Sequence, residues 1–254
     1  MKNVWVGVDE AAFMPGLYGV IDDNGNFVQG VQWDSPFPQT PADYYKSIQY
    51  FFTRVKQLAP SFNIMPNSGG ITDWTQFANT FGKAQGMMLE EINPEDSASD
   101  YYVRSFQYNQ LIAYGNESAH SYPMIFASLV PSSIQARIVD SYVMYLLVKG
   151  PNTFYAPEIA GTYNALPPST YQSMGQALGQ PTGPLQCKPA PNTTAGSGLC
   201  VYSRSYQNGT VYLNWTGTAQ KITLPTGKSY LGPNGQPIST LTLQDLRGSY
   251  VLNH

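Results

Sequence analysis

Residues 57–92 read QLAPSFNIMPNSGGITDWTQFANTFGKAQGMMLEEI. Pro60 closes whatever precedes it, and residues 62–66 (FNIMP) form a short apolar run that stops at Asn67-Ser68-Gly69-Gly70, a turn signal. Thr72 or Asp73 then opens a helix carrying Trp74, Phe77 and Phe81. Residues 86–89 (GMML) form a second apolar run that ends on Glu90-Glu91. Strand, helix, strand is a βα unit. Apolar strands that lack polar alternation belong to parallel sheets covered on both faces.

The same unit extends in both directions. Upstream, residues 4–8 (VWVGV) end on Asp9-Glu10, and residues 11–40 read as a long loop with DDNGN, Trp33 and several Pro. A helix follows over 41–59, with Thr40 as cap, Pro41 at its first position and Ile48, Phe51, Phe52, Val55 and Leu58 as its apolar stripe. Downstream, Ser97 and Asp100 resemble a capping box opening a helix through Ala113. Residues 122–129 form a fourth strand, and Ser132 or Ser133 opens a helix with Ile134, Ile138, Tyr142 and Leu146 on one face. Residues 153–156 form a fifth strand before Pro157-Glu158, and a last helix over 169–178 has Gly179 just past its end.

After about residue 183 helical periodicity stops. Runs at 200–204, 210–215, 219–224, 228–231, 238–243 and 249–252 are separated by turn signals, among them Asn208-Gly209 and Asn234-Gly235. The expected fold class is α/β: a partial (β/α) TIM-like barrel of about five βα units over 1–182, then a small all-β sandwich over 183–254. An open five-stranded parallel sheet has two free edges, so a homo-oligomer completing the barrel, or a covering helix or loop, is expected.

Composition narrows the chemistry. The 254 residues carry 13 Lys+Arg against 16 Asp+Glu, a net charge of −3. Charged residues are 11%, against roughly 25% in average proteins, so the polar surface rests on Ser, Thr, Asn, Gln and 19 Tyr. Nucleic acid is excluded as a partner, because phosphate binding needs clustered bases. No apolar run reaches the roughly 20 residues of a membrane span. Two His (His120, His254) and two Cys cannot assemble a zinc site, DDNGN lacks EF-hand spacing, and neither metal nor cofactor is implied. Carboxylates are left to carry catalysis.

Cys187 and Cys200 bracket CKPAPNTTAGSGLC without redox or metal spacing, and read as a disulfide pinning a loop. With the uncharged surface and four N-x-S/T sequons (Asn116, Asn192, Asn208, Asn214), this points to an extracellular or otherwise secreted protein. No signal peptide is visible: MKNVWVGVDE runs straight into a strand.

Three stretches together resemble hypothetical TIM-barrel glycoside hydrolases. VWVGVDEAAF is similar to their fourth barrel strand, which ends in Asp or Asp-Glu. QLAPSFNIMPNSGG and GKAQGMMLEEI are similar to the fifth and sixth, ending in Asn and Glu. YSRSYQNGTVYLNWTGTAQKITLP with LGPNGQPISTLTL is similar to the C-terminal β-sandwich of that group. The resemblance covers nearly the whole chain and implies glycosidic cleavage by carboxylates on a (β/α)8 barrel. The chain departs from it in lacking the first three strands.

Glycoside hydrolysis uses one carboxyl group to protonate the leaving oxygen and a second to attack or to activate water. The candidate pair is Asp9 as nucleophile or base and Glu90 as general acid, its pKa raised by burial and by Glu91, with the reversed roles also open. Adjacent strand residues face opposite ways, so one of Asp9 and Glu10, and one of Glu90 and Glu91, enters the site. Candidate substrate-binding residues are Glu10, Trp33, Asn67, Glu91 and Glu158, with Trp33 a flat platform for a sugar ring. The competing expectation is a non-catalytic carbohydrate-binding or extracellular assembly protein built on an incomplete barrel.

Overall fold

Val, Ile, Met and Phe in short runs favour extended backbone, and the described strands of the parallel layer are built of such runs. The computed structural model describes residues 4–8, 19–21, 27–29, 41–67, 85–89, 124–130, 138–159, 164–165, 172–189 and 199–254. Among these residues strands predominate, fifteen against three helices.

Strands β1 (Val4–Val8), β4 (Phe62–Pro66), β5 (Met87–Leu89), β6 (Met124–Val130) and β7 (Thr153–Ile159) run parallel. β1 pairs with β4 from Val4↔Phe62 to Val8↔Pro66. The parallel bridge Asn67↔Met88 joins β4 to β5. Gln85 strengthens that seam: its side-chain oxygen accepts from the Ile64 amide at 2.8 Å, and its own amide donates to the Ile64 carbonyl at 2.9 Å. The spatial order is therefore β1-β4-β5-β6-β7. The two-residue strand β8 (Asn164–Ala165) adds antiparallel to β7 at Glu158–Ile159 and shortens that free edge.

Two expectations need correcting here. The fifth strand does not stop before Pro157-Glu158 but runs to Ile159, paired with β6 through Leu129↔Glu158. The segment read as a long loop contains an antiparallel pair, β2 (Gly19–Ile21) with β3 (Phe27–Gln29). The helices expected after Thr72 and after Ser97 lie outside the described residues.

Helix α1 (Pro41–Leu58) begins and ends as its Pro41 and Pro60 dictate. Its buried stripe is narrower than the sequence suggests. Phe52 is fully buried and Val55 packs beside it, whereas Phe51 is 48% and Leu58 70% exposed. Both lie roughly 100–120° around the helix axis from Phe52, off the line that faces the sheet.

Helix α2 (Ile138–Val148) overturns the one-face expectation. Its residues are buried on every side, with Val139 partly so. A helix apolar all round must be enclosed, and α2 lies between β6 and β7 of the parallel sheet and a second, antiparallel sheet. Tyr142 and Tyr145 pack on Tyr155 of β7, with ring centroids 5.0 and 5.3 Å away.

That second sheet has the order β13-β15-β11-β10-β9, formed by β9 (Gln186–Pro189), β10 (Cys200–Tyr206), β11 (Gly209–Trp215), β13 (Tyr230–Leu231) and β15 (Gly248–Asn253). The period of two sorts its side chains. Tyr202 and Tyr206 of β10, Val211, Leu213 and Trp215 of β11, and Tyr250 and Leu252 of β15 share a core with α2. Tyr212, Tyr230 and Val251 face the other way, onto a ribbon of β12 (Gln220–Thr223) and β14 (Thr240–Leu243) through Ile222, Leu224, Leu241 and Leu243. Helix α3 (Gln172–Leu178) ends at Gly179 with φ +80°, as its glycine predicts.

Candidate functional site

The C-terminal ends of the parallel strands form one edge, where ligands bind in α/β sheets. Three neighbouring strands reach it at Val8, Pro66 and Leu89. Asn67 continues β4, is 5% exposed, and is held in line by its bridge to Met88. It is the candidate residue that the structure positions at this edge. Asp9, Glu10, Trp33, Glu90 and Glu91 lie outside the described residues. Asp9 follows β1 directly in sequence, and Glu90 follows β5. Glu158 belongs to β7 itself and not to a loop beyond it.

The Cys187–Cys200 disulfide joins β9 to β10, with Cα atoms 5.4 Å apart. No described helix is long and apolar enough to cross a membrane. Among the described residues no group of three His, Cys, Asp or Glu could hold a metal ion. The Asn214 sequon is closed to modification in the folded chain. Asn214 is fully buried, and its side-chain amide donates to the carbonyls of Thr218 at 2.8 Å and Leu243 at 3.0 Å.

The strongest described electrostatic features surround α2. Asp140, in its first turn, accepts from Arg247 Nη1 at 2.9 Å and from the Gly248 amide at 2.7 Å. At the other end Arg204 Nη1 donates to the carbonyls of Leu147 at 3.1 Å and Lys149 at 2.7 Å, while its Nε donates to Gly183 at 2.9 Å. Tyr206 donates to the Leu146 carbonyl at 2.5 Å. The guanidinium thus meets unpaired carbonyls at the negative end of the helix dipole. Burial pushes the Tyr206 phenol well above its usual value, with the Arg204 charge opposing. Burial also raises Tyr145, against its hydrogen bond to Thr153, and lowers Lys149, which Arg204 lowers further.

The sequence reading passed over Asp140, Arg204 and Arg247. Arg204 carried a signal all the same: it shares the alternation of Cys200, Tyr202 and Tyr206, all buried, so its side chain had to face the core.

No family model matches the sequence, and no curated protein matches it. Similar solved structures include an α-amylase from Geobacillus thermoleovorans complexed with acarbose, at 14% identity and TM-score 0.40, covering 85% of this chain and 58% of that one. A family GH13_31 enzyme is similar at 12% identity and TM-score 0.48, over 99% of this chain and 64% of that one. A GH30 endoxylanase from Clostridium papyrosolvens is similar at 11% identity and TM-score 0.42, over 83% and 60%. These neighbours are glycoside hydrolases, and the chain spans less than two thirds of the length of each.

Proposed function

We propose that the chain is part of a secreted glycoside hydrolase that cleaves poly- or oligosaccharide with the carboxyl groups of Asp9 and Glu90. In this reading residues 1–182 are a partial (β/α) barrel and residues 183–254 a β-sandwich. The observation that carries it is the strand order. β1 and β5 flank β4, all three run parallel, and each acid directly follows one of the flanking strands. Two strand spacings separate β1 from β5 by roughly 9.5 Å. Side chains leaving strands that far apart can converge to the roughly 5–9.5 Å at which glycosidases hold their carboxyl pairs. Asn67, on the strand between, is suited to a sugar hydroxyl.

Asp9 attacks the anomeric carbon or activates water, and Glu90 protonates the departing oxygen. Trp33 and Glu158 are the further contacts of the proposed cleft, and Glu10 and Glu91 are the alternatives to Asp9 and Glu90 on the opposite strand face. The test is a glycan hydrolysis screen of the chain beside Asp9→Asn and Glu90→Gln. Each variant is expected to lose roughly 10²–10⁴-fold in rate while still binding the polysaccharide. A chain that retains polysaccharide but hydrolyses none, with binding unchanged in Glu90→Gln, is a carbohydrate-binding protein and not an enzyme.

A further inference from the structure

A detachable binding module and a structural part of the fold differ in what lies at their boundary. A module on a linker meets its neighbour through a small polar surface. Here the α2-facing side of the β10, β11 and β15 sheet is part of the same buried core as α2 and Phe52 of α1.

We infer that this face of the antiparallel sheet is the permanent intramolecular partner of α2, so that residues 199–254 complete the core of the parallel layer and do not act as an independent module. Three sets of contacts carry the inference. The sheet pairs the start of α2, through Arg247 and Gly248 on Asp140. It caps the end of α2, through Arg204 and Tyr206 on three carbonyls of residues 146–149. It also caps α3: Asn208, in the β10–β11 turn, donates its backbone amide to Leu178 at 3.0 Å and its side-chain amide to Ala177 at 3.1 Å.

Two glycines bring the sheet close to the side chains of α2 and α3. A Cβ on Gly248 would stand 2.7 Å from the Val143 Cβ, and one on Gly209 would strike the Val251 carbonyl and approach the Leu178 side chain to 2.9 Å. Without this sheet α2 would expose Val143 to water, together with the carbonyls at its end.

The test is hydrogen exchange on the full chain, comparing peptides that cover α2 with peptides that cover β11, in the wild type and in Arg204→Met. A single cooperative unit gives equal maximal protection in both elements and a common acceleration in the variant, about 10- to 100-fold. If Arg204→Met does not accumulate as folded protein, Tyr206→Phe replaces it, with a common acceleration of about fivefold expected for one lost hydrogen bond. The inference is overturned if α2 loses protection while β11 keeps it, if α2 exchanges faster than β11 in the wild type, or if neither element responds. None of these outcomes depends on whether the chain hydrolyses a glycan.

Discussion

Arg247 and Asp140 form an ion pair of 2.9 Å that ties the start of β15 to the first turn of α2. The carboxylate is 6% exposed and the guanidinium 40%, so the pair is anchored on one side and wet on the other.

That asymmetry sets the cost of breaking it. Removing a partner from a fully buried pair costs about 3–5 kcal/mol. With Arg247 part-solvated and the Gly248 amide retained, Arg247→Ala is expected to cost about 1–2 kcal/mol. Urea unfolding reads this directly, as a lower midpoint at unchanged slope.

Gly248 tests close packing at the same place. Gly248→Ala puts a methyl group 2.7 Å from the Val143 Cβ and 2.9 Å from its Cγ1, which is overpacking. A loss of about 1–3 kcal/mol is expected. Val143→Gly in the same chain removes the Cβ and both Cγ atoms that the methyl group meets, so the double variant is expected to be more stable than the two single losses added together. A sum that is simply additive would show that β15 moves away instead.

Alkaline pH should weaken the fold through its tyrosines. Burial raises Tyr206, Tyr145, Tyr212 and Tyr250 above the ordinary 10.0. Above pH ~10 the unfolded chain releases these protons while the folded chain holds them, so the unfolded state binds fewer protons and stability falls with pH. The contribution is fully present below pH ~10 and is lost as the pH climbs through the raised folded values. Lys149 and Arg204, both lowered by burial, act in the opposite direction, but they are two groups against four. Tyr206→Phe is expected to lose about 1 kcal/mol at neutral pH and to flatten the fall above pH 10, as measured by unfolding across pH 8–11.

The disulfide joins Cys187 and Cys200 across a sequence separation of 13. A loop near that size is worth about 3 kcal/mol through the unfolded state. Replacing both cysteines by serine is expected to lower thermal stability by about that amount. Adding reductant should reproduce the loss in the native chain and leave the double variant unaffected.

Local pattern carried the sequence reading where the partner was adjacent. The strands at Val4–Val8 and Phe62–Pro66 match to the residue, and α1 ends one residue before the expected end. Gly179 terminates α3 because a left-handed position after a helix needs glycine. Pattern failed where the partner was distant. α2 looked amphipathic, yet the strands that bury its far side begin more than fifty residues later. The Asn208-Gly209 hairpin was recognised for the wrong reason. Gly209 is paired within β11 and is required for the close approach of β15, while the turn is made by Gln207 and Asn208. At the candidate site, Asn67 was legible because it ends an apolar run before Ser-Gly-Gly.

The enclosure of α2 also orders events during synthesis. Asp140 leaves the ribosome 107 residues ahead of Arg247. At roughly 5–20 residues per second, that is a wait of about 5–20 s. Throughout it the side of α2 turned away from β6 and β7 has no sheet to lie against, so the nascent chain carries an open apolar surface until its last strand has been made.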